Sequence, residues 1–174
     1  MKKIMSAMGL LLCLHSAGSN ALQGYTELNV AGHLSDIGSE DFTTGNLELR
    51  LGCYVQQGVG VEVFGSGPVT DDDSLDLAAE IGYTAGAAMR FQSPERDGTS
   101  VFFLLGYAVS ELSLDRSGTG KPGSDEFDGF TYGGGIEFRP GKQKNWFLNL
   151  KMQRYYSDAE IDLDLASVGV RYQF

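Results

Sequence analysis

Apolar and polar side chains alternate along most of the chain with a period of two residues. In one stretch Leu47, Leu49 and Leu51 alternate with Glu48 and Arg50. Such alternation is typical of a β-strand whose two faces meet different surroundings, because successive side chains point to opposite sides of a sheet. The pattern predicts eight strands, at residues 24–34, 43–55, 58–66, 75–91, 100–112, 128–139, 145–157 and 161–174.

The connections between the predicted strands alternate in character. Short turns with Gly or Pro are followed by longer, mostly acidic segments. The short turns are 56–58, 93–98 and 140–145, and the longer connections are 36–44, 67–74, 115–128 and a segment near Asp158. This asymmetry around an even strand count is the pattern of up-and-down barrels in outer membranes, where short turns face the periplasm.

Three observations favour a barrel whose apolar rows face lipid. The positions between the apolar residues are rich in Gly, Ala, Ser and Thr, which suit a narrow eight-strand interior. Aromatic residues such as Tyr132, Trp146 and Tyr172 lie near the ends of the apolar rows, as in interfacial belts. The sequence also ends within a strand, which can pair with the first strand and close the barrel. We therefore predict an all-β, eight-stranded antiparallel up-and-down transmembrane β-barrel.

The last predicted strand contains a break in phase. The apolar residues of 161–165 occupy odd positions, whereas Val168 and Val170 occupy even positions. A β-bulge near Ala166 would restore one continuous apolar face. A strand that begins beyond the membrane would also explain the change.

The first 21 residues have the features of a secretory signal peptide. Lys2 and Lys3 precede the apolar run 8–14, and Ser19-Asn20-Ala21 provides the small residues of a cleavage site. The predicted domains are thus a signal peptide at 1–21 and a barrel domain at 22–174. No apolar run of about 18 residues follows, so no membrane-spanning helix is expected.

Charge and residue usage narrow the possible partners. The chain has a formal net charge of −10, with 13 basic and 23 acidic residues, and removing Lys2 and Lys3 would leave 11 − 23 = −12. This balance argues against binding of nucleic acid, which needs clusters of Lys and Arg. After residue 21 the chain has one cysteine, Cys53, and one histidine, His33. We therefore expect no intrachain disulfide, no metal site and no cofactor.

The C-terminal residues Val168, Val170, Tyr172 and Phe174 resemble the assembly signal of bacterial outer-membrane proteins. Together with the strand count and the signal peptide, they make the chain similar to the small outer-membrane β-barrel family of OmpA/OmpX type, the "outer membrane protein beta-barrel domain" or porin family. The resemblance implies the outer membrane of a Gram-negative bacterium. It also implies contact with membrane lipid and lipopolysaccharide, insertion by the barrel-assembly machinery, a host or surface ligand at the extracellular loops, and a monomer.

If the apolar rows face lipid, eight charged side chains point into the lumen. These residues are Glu27, Glu48, Arg50, Glu62, Glu80, Glu137, Lys151 and Arg171. Charges in such an interior must pair or stay hydrated, and we expect Arg171 and Glu27 to be neighbours because the last strand lies beside the first. The set predicts a packed polar core. A gated ion path is the alternative, although eight strands are too few for a wide aqueous pore.

Two other sets of residues suggest chemistry only weakly. Asp71, Asp72 and Asp73 lack the Gly and the distal Glu of a calcium loop. His33 has Ser35 and Asp36 nearby, but no motif for an oxyanion hole accompanies them. The predicted function is a non-enzymatic structural or surface-interaction role with acidic loops outside the cell. The alternatives are a narrow ion-conducting pore, a lipid-A-modifying enzyme and a soluble periplasmic lipocalin-like barrel.

Overall fold

The computed structural model describes residues 23–37, 40–42, 45–69, 79–114, 123–141, 143–157 and 162–174. The strands are β1 (Gln23–Ile37), β2 (Glu40–Phe42), β3 (Gly45–Gln56), β4 (Val59–Pro68), β5 (Ala79–Gln92), β6 (Thr99–Leu114), β7 (Gly123–Phe138), β8 (Trp146–Ser157) and β9 (Asp162–Gln173). The proposed signal peptide lies outside the described residues. In the described part of the chain, no helix is long and apolar enough to cross a membrane.

The strands close into an antiparallel barrel. From β3 to β9 each strand pairs with the next in sequence, β1 pairs with β3, and β9 pairs back with β1. The short strand β2 pairs only with the end of β1, at 35–37. The barrel wall therefore consists of eight strands, β1 and β3 to β9, as the sequence predicts.

Some of the observed strands run further at the loop end than the alternation predicts. β7 begins at Gly123 rather than at 128, and β2 lies inside the predicted loop 36–44. These additions contain acidic residues and Ser, so hydrophobicity gives no sign of them. Backbone hydrogen bonds alone can extend a hairpin, because the ladder does not depend on side-chain polarity.

The orientation of the two faces agrees with a membrane barrel. Leu47 and Leu49 are 43% and 49% exposed on the outside, whereas Glu48 and Arg50 are fully buried inside. A soluble barrel would have the reverse arrangement, with leucines in a dry core and charges in water. The lipocalin-like alternative is therefore wrong.

The predicted bulge near Ala166 is also wrong. β9 pairs with β1 in unbroken register from Asp162 to Gln173. The irregularity lies on the neighbouring strand β8, between Arg154 and Tyr156. Leu165 continues the inward alternation and is 1% exposed, so the phase break marks an apolar residue inside the barrel.

Three aromatic side chains of the interior lie over glycines on the next strand. Tyr25 is directly opposite Gly52, Phe64 is opposite Gly86, and Phe102 is opposite Gly135. In each pair a Cβ on the glycine would overlap the aromatic ring. A glycine is thus required wherever a ring must lie flat against the inner wall of a narrow barrel.

We expect the replacement Gly86→Ala to destabilise the barrel by about 1–3 kcal/mol, because the new methyl group would overlap the Phe64 ring and the Tyr107 carbonyl. The urea midpoint for unfolding from lipid vesicles measures this loss. Gly67→Ala is the matched control, since a Cβ there meets nothing within 4 Å. Equal midpoints for the two variants would contradict this account of the aromatic–glycine pairs.

Candidate functional site

Eight charged residues are buried together inside the described part of the barrel. Four are carboxylates and four are cations, so the cluster has no formal net charge. They are Glu27, Glu48, Glu62 and Glu137 with Arg50, Arg90, Lys151 and Arg171. We call this set the lumenal charge network. Its members come from seven of the eight wall strands, β1, β3, β4, β5, β7, β8 and β9.

Arg50 connects three strands at one end of the network. Its Nε and Nη2 atoms donate to the two oxygens of Glu48, at 2.8 and 2.6 Å, in a bidentate pair. Its Nη1 donates to Glu62 on β4, and Nη2 also donates to Gln153 on β8. Such a fork of donors fixes the relative positions of its acceptors more firmly than a point charge can.

Glu137 connects the other two guanidinium groups. Arg171 donates to both its oxygens, from Nε at 2.6 Å and from Nη2 at 2.8 Å. Arg90 donates to the same carboxylate from Nη2 at 2.6 Å, and to Glu27 from Nη1 at 3.2 Å. One carboxylate thus holds strands β5, β7 and β9 together.

Lys151 and Asn29 join the two parts of the network. The Lys151 ammonium donates to Glu48 and lies 3.5 Å from Glu27. The Asn29 amide nitrogen donates to the same two carboxylates, at 2.9 Å for Glu27 and 2.7 Å for Glu48. The network is therefore continuous from β3 to β9.

Aromatic groups complete the surroundings of the charges. The guanidinium carbon of each arginine in the network lies over a ring. The distance to the ring centroid is 4.4 Å for Arg50 and Phe64, 3.8 Å for Arg90 and Phe102, and 4.2 Å for Arg171 and Phe147. Cation–π attraction of this kind grows when water is excluded. The rings therefore supply favourable contacts on faces of the guanidinium groups that cannot be hydrated.

Tyrosine hydroxyls also donate hydrogen bonds to the carboxylates of the network. Tyr25 donates to Glu62 at 2.7 Å, and Tyr155 donates to Glu48. Both tyrosines are buried, on β1 and β8. These bonds occupy acceptor positions that the four cations leave open.

An apolar layer covers the network towards the loop end of the barrel. Its members belong to one buried cluster: Ala31, Phe64, Ala88, Ala108, Tyr155 and Leu165. Along β9, Leu165 lies nearer to the long connections, whereas Arg171 lies nearer to the short turns. Along the barrel axis, the charged residues thus fill the part of the lumen towards the short turns, and uncharged side chains close the part towards the long connections.

The structure brings together seven of the eight predicted lumenal residues and adds another cation. The side chain of Glu80, at the start of β5, lies outside the described residues. Glu27 and Arg171 are directly opposite each other in the β1–β9 register, but the Arg171 guanidinium binds Glu137 instead. Arg90, which the sequence analysis missed, is fully buried. In the fourth predicted strand, 75–91, Arg90 lies between the apolar residues Met89 and Phe91, so the alternation places it on the polar face.

The four residues of the C-terminal pattern lie on the lipid-facing side of β9 or just after it. Val168 and Val170 are exposed outward, and Tyr172 packs on Trp146 with 4.9 Å between ring centroids. The Phe174 backbone nitrogen donates to the Gly24 carbonyl at 2.9 Å. The Phe174 ring also covers Gly24, so it contacts the strand with which β9 closes the barrel.

The remaining candidate side chains of the sequence analysis lie outside the described part of the protein. The side chains of His33, Ser35 and Asp36 lie outside the described residues, as do Asp71, Asp72 and Asp73. Within the described ranges, no group of three or more His, Cys, Asp or Glu residues is arranged to hold a metal ion.

Comparisons with known proteins agree with this architecture. The family model described as "Outer membrane protein beta-barrel domain" matches residues 5–174. A search of curated sequences finds no significant match.

Three solved structures share the fold at low sequence identity. Neisserial surface protein A is 12% identical, with a TM-score of 0.69, and the match covers 87% of this chain and 97% of that one. Ail, the attachment invasion locus protein of Yersinia pestis in complex with the heparin analogue sucrose octasulfate, is 14% identical, with a TM-score of 0.64 and coverage of 88% and 99%. The N-terminal β-barrel domain of Pseudomonas aeruginosa OprF is 11% identical, with a TM-score of 0.63 and coverage of 86% and 97%.

We expect Arg50→Met to destabilise the folded barrel by about 3–5 kcal/mol, because it leaves buried Glu48 and Glu62 without their main cation. The free energy of unfolding in lipid vesicles measures the effect. The control is Glu95→Gln, which breaks the exposed pair with Arg139 and should cost at most about 1 kcal/mol. A loss no larger for Arg50→Met than for Glu95→Gln would show that the network is not a structural unit.

Proposed function

The chain belongs to the outer membrane protein beta-barrel domain family, and from this we propose that it is a non-enzymatic protein of a Gram-negative outer membrane. In this proposal residues 1–21 direct export and are removed, and the barrel-assembly machinery inserts residues 22–174. The barrel then acts as a rigid support that presents its longer connections at the cell surface. It functions as a monomer surrounded by membrane lipid and lipopolysaccharide.

The closed interior is the observation that carries the proposal. The four carboxylates and four cations of the lumenal charge network are buried and bonded to one another. The apolar cluster that includes Phe64 and Leu165 lies next to these charges, towards the loop end of the barrel. A conducting path needs a continuous hydrated route, whereas these side chains fill the cross-section. The geometry therefore favours a supporting role for the lumen over an ion path.

The same interactions argue against an enzyme that uses lumenal residues. A general acid or base must reach a substrate, and a nucleophile needs an accessible site next to such a base. Glu48, Glu62 and Glu137 instead accept bonds from buried cations and hydroxyls. These carboxylates are occupied in maintaining the structure.

Function at the surface would depend on the segments that join strands opposite the short turns. The sequence between β4 and β5 contains Asp71, Asp72 and Asp73, and the chain as a whole has a net charge of −10. Surfaces of this sign attract cationic partners and repel polyanions. Divalent cations that bridge carboxylates to lipopolysaccharide phosphates are compatible with this charge.

The solved structures of similar fold support a surface role but give no ligand for this chain. One is that of a neisserial surface protein, and another is that of an attachment invasion locus protein with a sulfated ligand. A sulfated saccharide would meet electrostatic repulsion at an acidic surface. We therefore propose that any partner of this chain is cationic or is bridged by cations.

Labelling of intact cells tests the location and the orientation together. In a Cys53→Ser background, a membrane-impermeant maleimide should label Asp72→Cys, which lies in a long connection. It should not label Gln57→Cys, which lies in the short turn between β3 and β4. Both variants should shift on unboiled gels, and the purified mass should correspond to residues 22–174. Labelling of Gln57→Cys but not Asp72→Cys would reverse the proposed orientation, and recovery in the aqueous fraction would refute the membrane location.

Planar-bilayer recording tests the closed lumen. The folded protein should give no discrete conductance steps, because the lumenal charge network and the apolar cluster fill the interior. Lys151→Ala removes a buried cation that pairs with Glu48, so it tests whether loss of one member of the network opens a leak. Steady single-channel steps in the unmodified protein, altered in size by Lys151→Ala, would support the pore alternative instead.

A further inference from the structure

The outer face of the barrel carries a groove of about 750 Å³ across strands β3 to β7. Its lining includes five exposed side chains that follow one another in the strand register: Leu51, Val63, Ala87, Tyr107 and Phe130. The outer face of a membrane barrel meets hydrocarbon rather than water. A groove on this face is therefore a place where one membrane component can bind more firmly than its neighbours.

A small residue on β5 forms the floor of the groove. Ala87 lies between Val63 on β4 and Tyr107 on β6. Its methyl group is much shorter than the side chains on both sides, so the surface is lower there. The Phe130 ring extends the wall beyond Tyr107, because it packs edge to face on the Tyr107 ring with 5.7 Å between the centroids. The groove thus has an apolar floor and one aromatic wall.

The length of the groove suits one hydrocarbon chain. From β3 to β7 the groove crosses four strand spacings of about 4.8 Å each, which makes it roughly 19 Å long. One lipid chain spans about half of the 30 Å hydrocarbon core, or roughly 15 Å. The groove can therefore hold a whole chain of a membrane lipid between Leu51 and Phe130.

A carboxylate lies at the loop end of the groove. Asp128 on β7 is exposed and accepts a hydrogen bond from the Tyr107 hydroxyl. Glu111 lies on the same face of β6 as Tyr107, four residues nearer to the loops. The exposed carboxylates of Glu95 and Asp164 each bind an arginine. Among the described residues, Asp128 has the tyrosine hydroxyl as its partner and no cation.

This combination of groups identifies the headgroup of the lipid. A carboxylate beside aromatic rings attracts an ammonium group, through opposite charge and through the faces of the rings. A headgroup that carries only a phosphate would be repelled by Asp128 and Glu111. A bare metal ion would use the carboxylates but not the apolar groove. The ligand that fits both parts has an ammonium group and a hydrocarbon chain.

We propose that the outer groove of β3 to β7 binds one membrane lipid with an ammonium headgroup, its chain over Ala87 and its ammonium group at Asp128. Tyr107 joins the two parts of the site, because its ring lines the groove and its hydroxyl holds the Asp128 carboxylate. The inference rests on the membrane location proposed above, and it adds the class of lipid that this barrel selects.

Native mass spectrometry of the protein released from nanodiscs tests the proposal. The nanodiscs contain equal amounts of phosphatidylethanolamine, which carries an ammonium group, and phosphatidylglycerol, which does not, with identical chains. The unmodified protein should retain the ethanolamine lipid in about three- to tenfold excess, the effect of one exposed charge pair and one cation–π contact. Asp128→Asn should bring the two lipids to equal retention. Ala87→Leu fills the floor of the groove and should lower the amount of lipid retained.

The matched controls lie on β9, four strands away from β5 around the barrel. Asp164→Asn removes an exposed carboxylate that already binds Arg154. Ala166→Leu makes the same enlargement as Ala87→Leu at another outward position. Both controls should keep the excess of the unmodified protein, and migration on unboiled gels shows that each variant is folded.

The outcomes separate the proposal from its competitors. Equal retention of the two lipids by the unmodified protein would overturn it, as would an unchanged excess in Asp128→Asn or unchanged retention in Ala87→Leu. A dimer mass without bound lipid would assign the groove to a second copy of the chain. Protein that does not enter the nanodiscs would contradict the proposed membrane location and this inference with it, whereas inserted protein without a lipid preference would contradict this inference alone.

Discussion

A charged side chain inside a narrow membrane barrel has no bulk water within reach, and the lipid outside the wall cannot solvate it either. Every charge must therefore be neutralised and hydrogen-bonded by other groups of the interior. In this protein Glu27, Glu48, Glu62 and Glu137 meet Arg50, Arg90, Lys151 and Arg171 in equal numbers. Because these residues come from seven strands, their mutual satisfaction requires the barrel to be closed in one register. A slip of one residue on any of these seven strands would turn its charge towards hydrocarbon.

This constraint explains why buried ion pairs are retained even though such pairs are weak sources of stability on average. The desolvation of two charges often cancels their attraction, so an apolar core of equal volume would be as stable. The network instead raises the free energy of barrels with wrongly paired strands, because loss of one partner leaves another charge buried and unpaired. The Arg50 fork illustrates the point, because it requires Glu48, Glu62 and Gln153 to be in place simultaneously. The network thus contributes specificity of pairing, while lipid contact of residues such as Leu49 and Val170 stabilises the outer face.

The sequence predicts the strand number, the orientation of the faces and most of the lumenal charges, because all three follow from a period of two. The prediction fails where successive residues do not alternate between apolar and polar as the rule expects. The first residues of β7, 123–126, are Gly, Ser, Asp and Glu and show no alternation, and Leu165 is apolar on the inner face. Neither fits a rule that assigns apolar residues to lipid. The sequence also does not predict which charges bind each other. Glu27 is opposite Arg171 in the β1–β9 register, yet Arg171 donates to Glu137 on β7. The register determines which backbone residues are paired, whereas long side chains can reach partners on strands across the lumen.

The closed interior also determines where new function can develop in such a protein. The lumen can open only if several groups rearrange together. These groups are the ion pairs, the apolar cluster, and the rings of Phe64, Phe102 and Phe147 on which the arginines stack. Changes inside the wall are coupled because neighbouring residues share partners, so single substitutions there are costly. Connecting segments in general tolerate changes of length and charge better than the strands that they join. A barrel whose buried charges are paired with one another is therefore a stable base on which the connecting segments can change.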